Sequence, residues 1–365
     1  MANKRRRWIT VLSPFVSVFF FIVVGEIALR GYQYVRFDIS FLTGQPLHSD
    51  QPQTLSPISL DQELGWRATE NYRFEGIREN WGGTTYPATI TQDEHGFRMY
   101  GDSASSKTKI LVIGDSFTQA VDASDGHPYY AVVGNRLNAE IFAYGGGGYG
   151  SLQELMILDK YVEAIKPDLI LWQYSTNDIV NNSVEMETAS TINNNGMRRP
   201  YLVDGKISYL IPKKDSYGIR LLALQYCRLC YMVMNRVDRL QVWMKGISIE
   251  SDTAPGQAGH SLFVQAVSTT DKIMKRVAER AGSTPIVAFV VGSGSPYGPE
   301  YDTAFMKISQ DHRILLLTDV DSKVNSAEVQ GTVVRGADGA HWNNTGHEIA
   351  GQVIADNLEV MQLRK

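Results

Sequence analysis

The segment "KILVIGDSFT", residues 109–118, joins a short apolar run to a glycine and then a serine. Residues 110–113 are uninterrupted apolar residues, the pattern of a strand that is covered on both faces. Gly114 permits a sharp exit from that strand, and Ser116 follows two residues later. A serine at this place is either the N-cap of the next helix or a nucleophile held at the strand end.

Similar apolar runs recur after this segment, and helical patterns separate them. The strand candidates are 109–114, 140–145, 168–174, 285–291 and 313–320. The helical patterns are 127–138, 151–165 and 261–281, and a final helix starts at Asn344 or Thr345. This alternation predicts an α/β fold with a central parallel sheet of about five strands, wrapped by helices.

Composition narrows the classes of protein. The chain has 365 residues, of which 43% are hydrophobic, so it can bury one large core. The net charge of −4 gives no basic surface for a nucleic acid, and we expect no nucleic-acid partner.

The N-terminus predicts a membrane anchor. Lys4, Arg5, Arg6 and Arg7 precede residues 8–25, which carry no charge. A helix over that run spans roughly 27 Å, close to the thickness of a bilayer core. Residues 1–30 are therefore predicted as a single-pass, N-in anchor, with the rest of the chain extracytoplasmic, in a periplasm or at the cell surface. A cleaved signal peptide and a buried helix of a soluble protein are the alternatives.

The remaining chain divides into two predicted parts. Residues 31–105 are predicted as a linker and a lead-in to the domain that follows, because 43–62 are rich in Pro, Ser and Gln. Residues 106–365 form the predicted α/β domain, with a helical insertion at about 181–250. The insertion's long apolar helix, 216–245, is expected to cover part of the sheet or wall a site, and a membrane-surface helix is the second interpretation.

Two cysteines, Cys227 and Cys230, form a C-x-x-C pair inside that helix. A metal site needs further ligands, and the chain has no second cysteine pair. We expect the two thiols to pack as small hydrophobic groups, and a disulfide is the alternative.

Polar residues and glycines follow the predicted strands. A glycine loop, "YGGGGYG", follows the second strand, Asn177 follows the third, and Asp338 and His341 follow the fifth. The carboxyl ends of parallel strands share one edge of the sheet, where ligands bind. A nucleophile, a base, its orienting carboxylate and oxyanion donors are the inventory that acyl transfer needs.

The glycine loop also contains G-x-G-x-x-G, as Gly145, Gly147 and Gly150. Dinucleotide binding needs an acidic residue near the end of the next strand, whereas Asp168 stands at its beginning. We therefore expect no dinucleotide.

With these motifs in this order, the chain resembles the SGNH (GDSL) hydrolase superfamily. The resemblance covers roughly residues 63–360, apart from most of the insertion. The dipeptide "GW" at 65–66 and "HGFRM" at 95–99 resemble membrane-anchored bacterial members. The matching motifs are "GDSFT" with Ser116, "GGGGYGSLQEL" with Gly148, "TND" with Asn177, and "DGAHWNNTGH" with Asp338 and His341.

The resemblance implies a flavodoxin-like three-layer αβα sandwich without metal or organic cofactor. It implies Ser116 as nucleophile, His341 as general base and Asp338 as the residue that orients it. The backbone N–H groups of Ser116 and Gly148 and the side chain of Asn177 would form the oxyanion hole. Ser175 and Ala143 depart from the family's usual glycine and asparagine, which bears on substrate range.

The function expected from these features is a serine esterase. It would act on O-acyl groups, O-acetyl included, of a carbohydrate, an envelope polymer or another small ester. The alternatives are an O-acyltransferase with the same triad and a non-catalytic, glycan-binding envelope scaffold. A second histidine, His347, is expected to pack in the final helix, because only His341 has an aspartate three residues earlier.

Overall fold

The computed structural model describes residues 2–37, 41–42, 56–190, 192–212, 219, 223, 226–245, 248–292 and 296–362. These residues form two compact units. Unit 1 consists of the described residues within Met1–Gln53 and Lys213–Gly246, and unit 2 of those within Thr54–Pro212 and Ile247–Lys365. Of the Pro-, Ser- and Gln-rich segment 43–62 of the predicted linker, residues 43–55 lie outside the described residues.

Unit 2 is an α/β structure with one main sheet and three two-stranded sheets. Its strands are β1 (Ile58–Asp61), β2 (Gly65–Ala68), β3 (Arg73–Glu79), β4 (Thr85–Thr91), β5 (Met99–Tyr100), β6 (Lys109–Gly114), β7 (Glu140–Gly145), β8 (Leu169–Ser175), β9 (Arg199–Val203), β10 (Lys206–Leu210), β11 (Ile286–Val291) and β12 (Leu315–Leu317).

The following helices lie in the described residues of the chain. They are α1 (Ala2–Phe37), α2 (Ser116–Gln119), α3 (Tyr129–Leu137), α4 (Ser151–Ile165), α5 (Asp178–Asn181), α6 (Val184–Ala189), α7 (Arg228–Lys245), α8 (His260–Ala281), α9 (Pro299–Asp311), α10 (Val320–Val329) and α11 (Asn344–Gln362).

The main sheet has the strand order β12-β11-β8-β6-β7-β5. Its five parallel strands are those predicted from the apolar runs, and β5 adds an antiparallel edge. Counted along the chain, the parallel strands lie in the order 2-1-3-4-5, which is the flavodoxin-like arrangement. The chain reverses direction across the sheet between β6 and β8, so the crevice beyond their carboxyl ends is the place where such folds bind ligands.

Hydrophobic cores lie on both faces of the sheet, as the uninterrupted apolar strands require. In β6, Leu111 and Ile113 belong to the core that includes α4 and α8. Ile110 and Val112 belong to the core that includes α3 and α11. Unit 2 therefore has the predicted three layers, helices–sheet–helices.

From Thr54 onward, the predicted linker and lead-in belongs to unit 2. Strands β3 and β4 pair as an antiparallel hairpin. Trp66 in β2 is buried, and so is Arg98, whose guanidinium bonds the Asp125 carboxylate at 2.7 Å. The alternating and short strands of this segment lack the long apolar runs that mark the main sheet, so composition alone did not reveal them.

The predicted insertion divides between the units. Residues up to Pro212, including the hairpin β9–β10, belong to unit 2, whereas the long helix α7 belongs to unit 1 with α1. Within unit 1 the Glu26 carboxylate accepts hydrogen bonds from the backbone N–H groups of Arg228 and Leu229, at 3.1 and 2.7 Å. The predicted role of this helix as a cover for the sheet or a wall of a site stays a prediction.

Cys227 and Cys230 form a disulfide at the start of α7. The expectation of two free, packed thiols is wrong, and the alternative holds. The first residue of the pair precedes the helix, so the two sulfurs are not held apart by helical geometry.

Helix α1 spans the predicted anchor segment and contains Pro14. Among the described residues, no helix combines the length and apolar character needed to cross a membrane. The predicted transmembrane anchor is not supported by this finding, and the extracytoplasmic location stays a prediction.

Candidate active site

Ser116 is the first residue of the short helix α2, directly beyond the end of β6. Asp115, not Ser116, is the N-cap of that helix: its carboxylate accepts the N–H of Phe117 at 3.0 Å. The capping interpretation of Ser116 is therefore wrong, and its hydroxyl is free for another role. The Ser116 N–H has no hydrogen-bond partner among the described residues.

The turn that presents Ser116 is held by a buried polar network. Gln173 in β8 accepts hydrogen bonds from the Asp115 N–H, at 3.1 Å, and from the Thr118 hydroxyl, at 2.9 Å. Gly114 makes this possible, since a Cβ there would lie 2.3 Å from Thr118 Oγ1 and 2.4 Å from Gln173 Oε1. The packing of β6 against β8 thus dictates a glycine two residues before the serine.

His341 and Asp338 lie in the loop before α11 and meet Ser116. His341 Nε2 is 2.8 Å from Ser116 Oγ, and its Nδ1 is 2.5 Å from Asp338 Oδ2. In the tautomer that donates Nδ1–H to Asp338, Nε2 accepts the serine hydroxyl hydrogen. The other Asp338 oxygen accepts the N–H groups of Ala340 and His341, at 2.8 and 3.0 Å, which fixes the carboxylate in its loop.

The charges of this pair shift both pKa values. Burial opposes ionisation of Asp338, but its hydrogen bond and charge interaction with His341 hold the pKa below the usual range of an aspartate. Burial also opposes protonation of His341, but the hydrogen bond to Asp338 raises the pKa of the imidazole above its ordinary value. Both shifts favour an imidazolium beside a carboxylate, the state that forms when the serine loses its proton.

His347 occupies a different environment. Its side chain is 1% exposed, stacks on Tyr129 with ring centroids 5.9 Å apart, and meets the edge of Trp342. Burial lowers the pKa of this histidine to about 3. His347 is therefore a neutral core residue, as predicted.

The glycine loop after β7 is fixed beside the serine. The Trp66 indole donates to the Gly147 carbonyl at 2.8 Å, and the Gly147 N–H donates to Gln119 Oε1 at 3.0 Å. Gly148 has φ of +72°, and a Cβ there would lie 2.5 Å from Asn195 Nδ2, so the position demands glycine. Its N–H has no hydrogen-bond partner among the described residues, which leaves it free to bind an oxyanion.

Asn177 follows β8, the strand next to β6, at the same edge of the sheet. It precedes α5, but its side chain makes no capping hydrogen bond. The Asp178 side chain stabilises this turn instead, since its Oδ2 accepts the N–H of Ser175 at 3.1 Å. The Asn177 amide is thus not used by local structure, and ordinary turn chemistry does not account for it.

Two residues near the site were not predicted. Asp122 adds a second carboxylate, with one oxygen within 4.8 Å of an oxygen of Asp338 and of a ring nitrogen of His341. Asn195, from the asparagine-rich loop, lies against Gly148. Neither stands in a recognisable motif, so only the folded chain brings them to the site.

The position of Asp168 bears on whether the glycine loop could bind a dinucleotide. Asp168 accepts the N–H of Lys109, at the amino end of β6, at 2.9 Å. It therefore lies at the sheet edge opposite the glycine loop and cannot face a ligand there. The arrangement at the carboxyl edge instead combines a hydroxyl, a polarised imidazole and free backbone donors, which together suit attack on a carbonyl carbon.

No protein-family profile matches the chain, and no curated protein matches it. Among solved structures, it is similar to a lipase/acylhydrolase from Enterococcus faecalis, with 14% identity and a TM-score of 0.39, over 70% of this chain and 96% of that one. It is similar to the psychrotrophic esterase EstA from Pseudoalteromonas sp., with 11% identity and a TM-score of 0.38, over 71% of this chain and 100% of that one. It is also similar to TesA, with 14% identity and a TM-score of 0.40, over 69% of this chain and 98% of that one.

Proposed function

We propose that the chain is a serine ester hydrolase of the SGNH type that works through an acyl-Ser116 intermediate. One observation carries the proposal: Asp338, His341 and Ser116 form an unbroken hydrogen-bonded line, with distances of 2.5 and 2.8 Å. Two segments that lie more than 200 residues apart in the sequence must fold together to make it. A glycan-binding scaffold would not need a base aligned on a serine.

The first half of the reaction acylates the enzyme. Ser116 Oγ attacks the ester carbonyl carbon while His341 Nε2 takes the hydroxyl proton, and Asp338 stabilises the imidazolium. The carbonyl oxygen becomes an oxyanion, which the N–H groups of Ser116 and Gly148 and the amide of Asn177 would bind. When the tetrahedral intermediate collapses, the alcohol leaves with the proton from His341.

The second half removes the acyl group. A water molecule gives its proton to His341 Nε2 as its oxygen attacks the acyl carbon, and the same donors bind the second oxyanion. Collapse returns the proton to Ser116 Oγ and releases the carboxylic acid. A sugar hydroxyl in place of water would give the same sequence of steps and an acylated sugar.

For the substrate, we propose O-acyl groups, O-acetyl included, on a carbohydrate or envelope polymer. The proposed site of action is outside the cytoplasm, with the chain held in the membrane by its N-terminal segment. The basic cluster at residues 4–7 supports this orientation, and the disulfide at Cys227 and Cys230 fits an oxidising compartment. A reporter fused after Lys365 should be active outside the cytoplasm, and activity only in the cytoplasm would refute the orientation.

The full-length chain should be assayed on p-nitrophenyl esters of increasing acyl length. Turnover of short-chain esters, with covalent labelling of Ser116 by a fluorophosphonate, is expected. A chain that turns over no ester and does not react with the probe is not a serine hydrolase. Product analysis with a sugar acceptor present distinguishes hydrolysis from acyl transfer.

A further inference from the structure

An exposed tryptophan stands beside the loop that carries the base. Trp81 lies in the turn of the β3–β4 hairpin, and its side chain is 59% exposed. Large aromatic side chains are usually buried, because their exposure leaves much apolar area in water. Its position therefore calls for an explanation, and its neighbours suggest one.

The tryptophan is held rigidly against the loop. Its backbone N–H donates to the Arg335 carbonyl at 3.0 Å, and its neighbour Asn80 pairs with Gly336 in a β-bridge. Its ring covers Gly339, where a Cβ would lie 2.9 Å from Cε3 and 3.0 Å from Cζ3. One part of the ring system thus rests on the backbone between Asp338 and His341, while the rest is open to solvent.

The groups around the ring are polar. A Cβ at Gly83 would lie 3.8 Å from the Glu79 carboxylate, so that carboxylate lies near the turn. The side chain of Asp338, the residue before Gly339, is 45% exposed. A single exposed ring, packed on a loop and next to segments that carry carboxylates, is unlike a protein-docking patch, which presents contiguous apolar surface.

The mechanism of ester hydrolysis determines which part of a substrate would lie near Trp81. His341 Nε2 must reach both Ser116 Oγ and the oxygen of the leaving alcohol, so the alcohol part of the ester lies on the His341 side. The oxyanion donors, including Gly148, hold the carbonyl oxygen. A surface on the His341 loop is therefore placed for the alcohol part rather than the acyl part.

We infer that Trp81 is a stacking platform for a neutral sugar ring in the alcohol part of the substrate, a proposal that rests on the proposed ester hydrolase function. The C–H face of a pyranose packs on an indole, and its hydroxyls can donate to the carboxylates of Glu79 and Asp338. Those carboxylates disfavour a uronate or another anionic sugar. A cage for a cationic alcohol normally uses several rings, and none of the aromatic pairs among the described residues includes Trp81.

The test compares Trp81→Ala with the parent on two acetate esters, ethyl acetate and an O-acetylated neutral oligosaccharide such as acetylated cellotetraose. KM for the oligosaccharide should rise about three- to tenfold, as expected for one stacking contact, while kcat/KM for ethyl acetate stays within about twofold. Trp81→Phe should retain most of the affinity. Ile77→Ala, an exposed position on the same hairpin, is the matched control and should change neither substrate.

A second measurement does not depend on turnover. Titration of Ser116→Ala with deacetylated cellotetraose should change tryptophan fluorescence, and Ser116→Ala/Trp81→Phe should lose that change. Equal loss on both esters in Trp81→Ala, or no loss on either, would overturn the platform. With acetylcholine measured as a third ester, a larger loss on it than on the oligosaccharide would replace the sugar with a cationic alcohol. If no ester is hydrolysed by the parent, the proposed function fails, and the titration alone decides whether Trp81 binds a sugar.

Discussion

The two histidines of the C-terminal region should respond to mutation in opposite ways. His341→Ala removes the proton acceptor 2.8 Å from Ser116 Oγ. In serine triads, loss of the base lowers kcat by about a millionfold, so turnover should fall to a small residual from the oxyanion donors. Because the His341 side chain is already 34% exposed, we expect little change in the thermal unfolding temperature.

His347→Ala should mainly affect stability. The side chain is fully buried and in contact with two aromatic rings, so its removal leaves a cavity in the core. Truncation of a large buried side chain costs about 2–5 kcal/mol, which for a unit of this size lowers the unfolding temperature by roughly 10 °C. Activity per folded molecule should stay within a few-fold of the parent, because His347 does not touch Ser116.

The assay measures ester turnover, fluorophosphonate labelling of Ser116 and thermal unfolding on each variant. Ser116→Ala and His341→Ala should be equally inactive, and the double variant should be little worse than either, since the two residues act as a unit. Labelling should vanish in His341→Ala and persist in His347→Ala. The opposite pattern, with labelling lost only in His347→Ala, would show that the triad is assigned to the wrong histidine.

Further outcomes follow from the same geometry. Asn177→Ala should lower kcat about 10²- to 10³-fold with an unchanged unfolding temperature, whereas a fall in stability alone would make Asn177 a structural turn residue. Because the pKa of His341 is raised by Asp338, the acidic limb of kcat/KM should lie above pH 6.5, and Asp338→Asn should move it down; an unmoved limb would contradict the pairing. Burial raises the pKa of Glu154 well above its ordinary value, and the charges of Asp178 and Asp115 add to this effect. Folding therefore favours the protonated acid, and the stability of the fold decreases as the pH rises above about 4.5. Glu154→Gln, which mimics the protonated form, should raise the unfolding temperature at pH 7 but not at pH 4, and a loss of stability at both pH values would refute the argument.

The main sheet was predictable because its strands are buried on both faces. The apolar runs 109–114 and 140–145 coincide with β6 and β7 residue for residue. The run 313–320 overstated β12, which ends at Leu317, because the apolar pattern continues into the buried Val320 of α10. An apolar run reports burial, and burial continues across the boundary between a strand and the next helix.

Other strands carry weaker local signals. The two residues of β5 are too few to show any periodicity. The hairpin β9–β10 had a recognisable signal, since its turn is Asp204-Gly205 with φ values of +48° and +76°, a dipeptide typical of two-residue hairpins. This signal stands next to the long apolar pattern at 216–245, which favours a helical insertion for the whole segment.

Some residues of the candidate site could be predicted from the sequence, and others could not. Asp338 and His341 are three residues apart, so their pairing could be predicted from local sequence, and the family resemblance linked them to Ser116. The positions of Asp122, Asn195 and Trp81 depend on contacts between distant segments. A single sequence shows no pattern for such contacts, because none of these three residues belongs to a motif that would mark it as part of a site.

The loop that carries the base has little regular structure, so its geometry must come from its neighbours. The Asn343 amide donates to Asn80 Oδ1 at 2.8 Å and to the carbonyls of Val333 and Arg335, at 3.0 and 3.3 Å. One side chain therefore joins the two ends of the loop to the β3–β4 hairpin. The same hairpin presents Trp81 to the proposed sugar. Under the proposed function, positioning of the base and recognition of the alcohol both depend on this hairpin, which accounts for the folding of a segment that resembles a lead-in into unit 2.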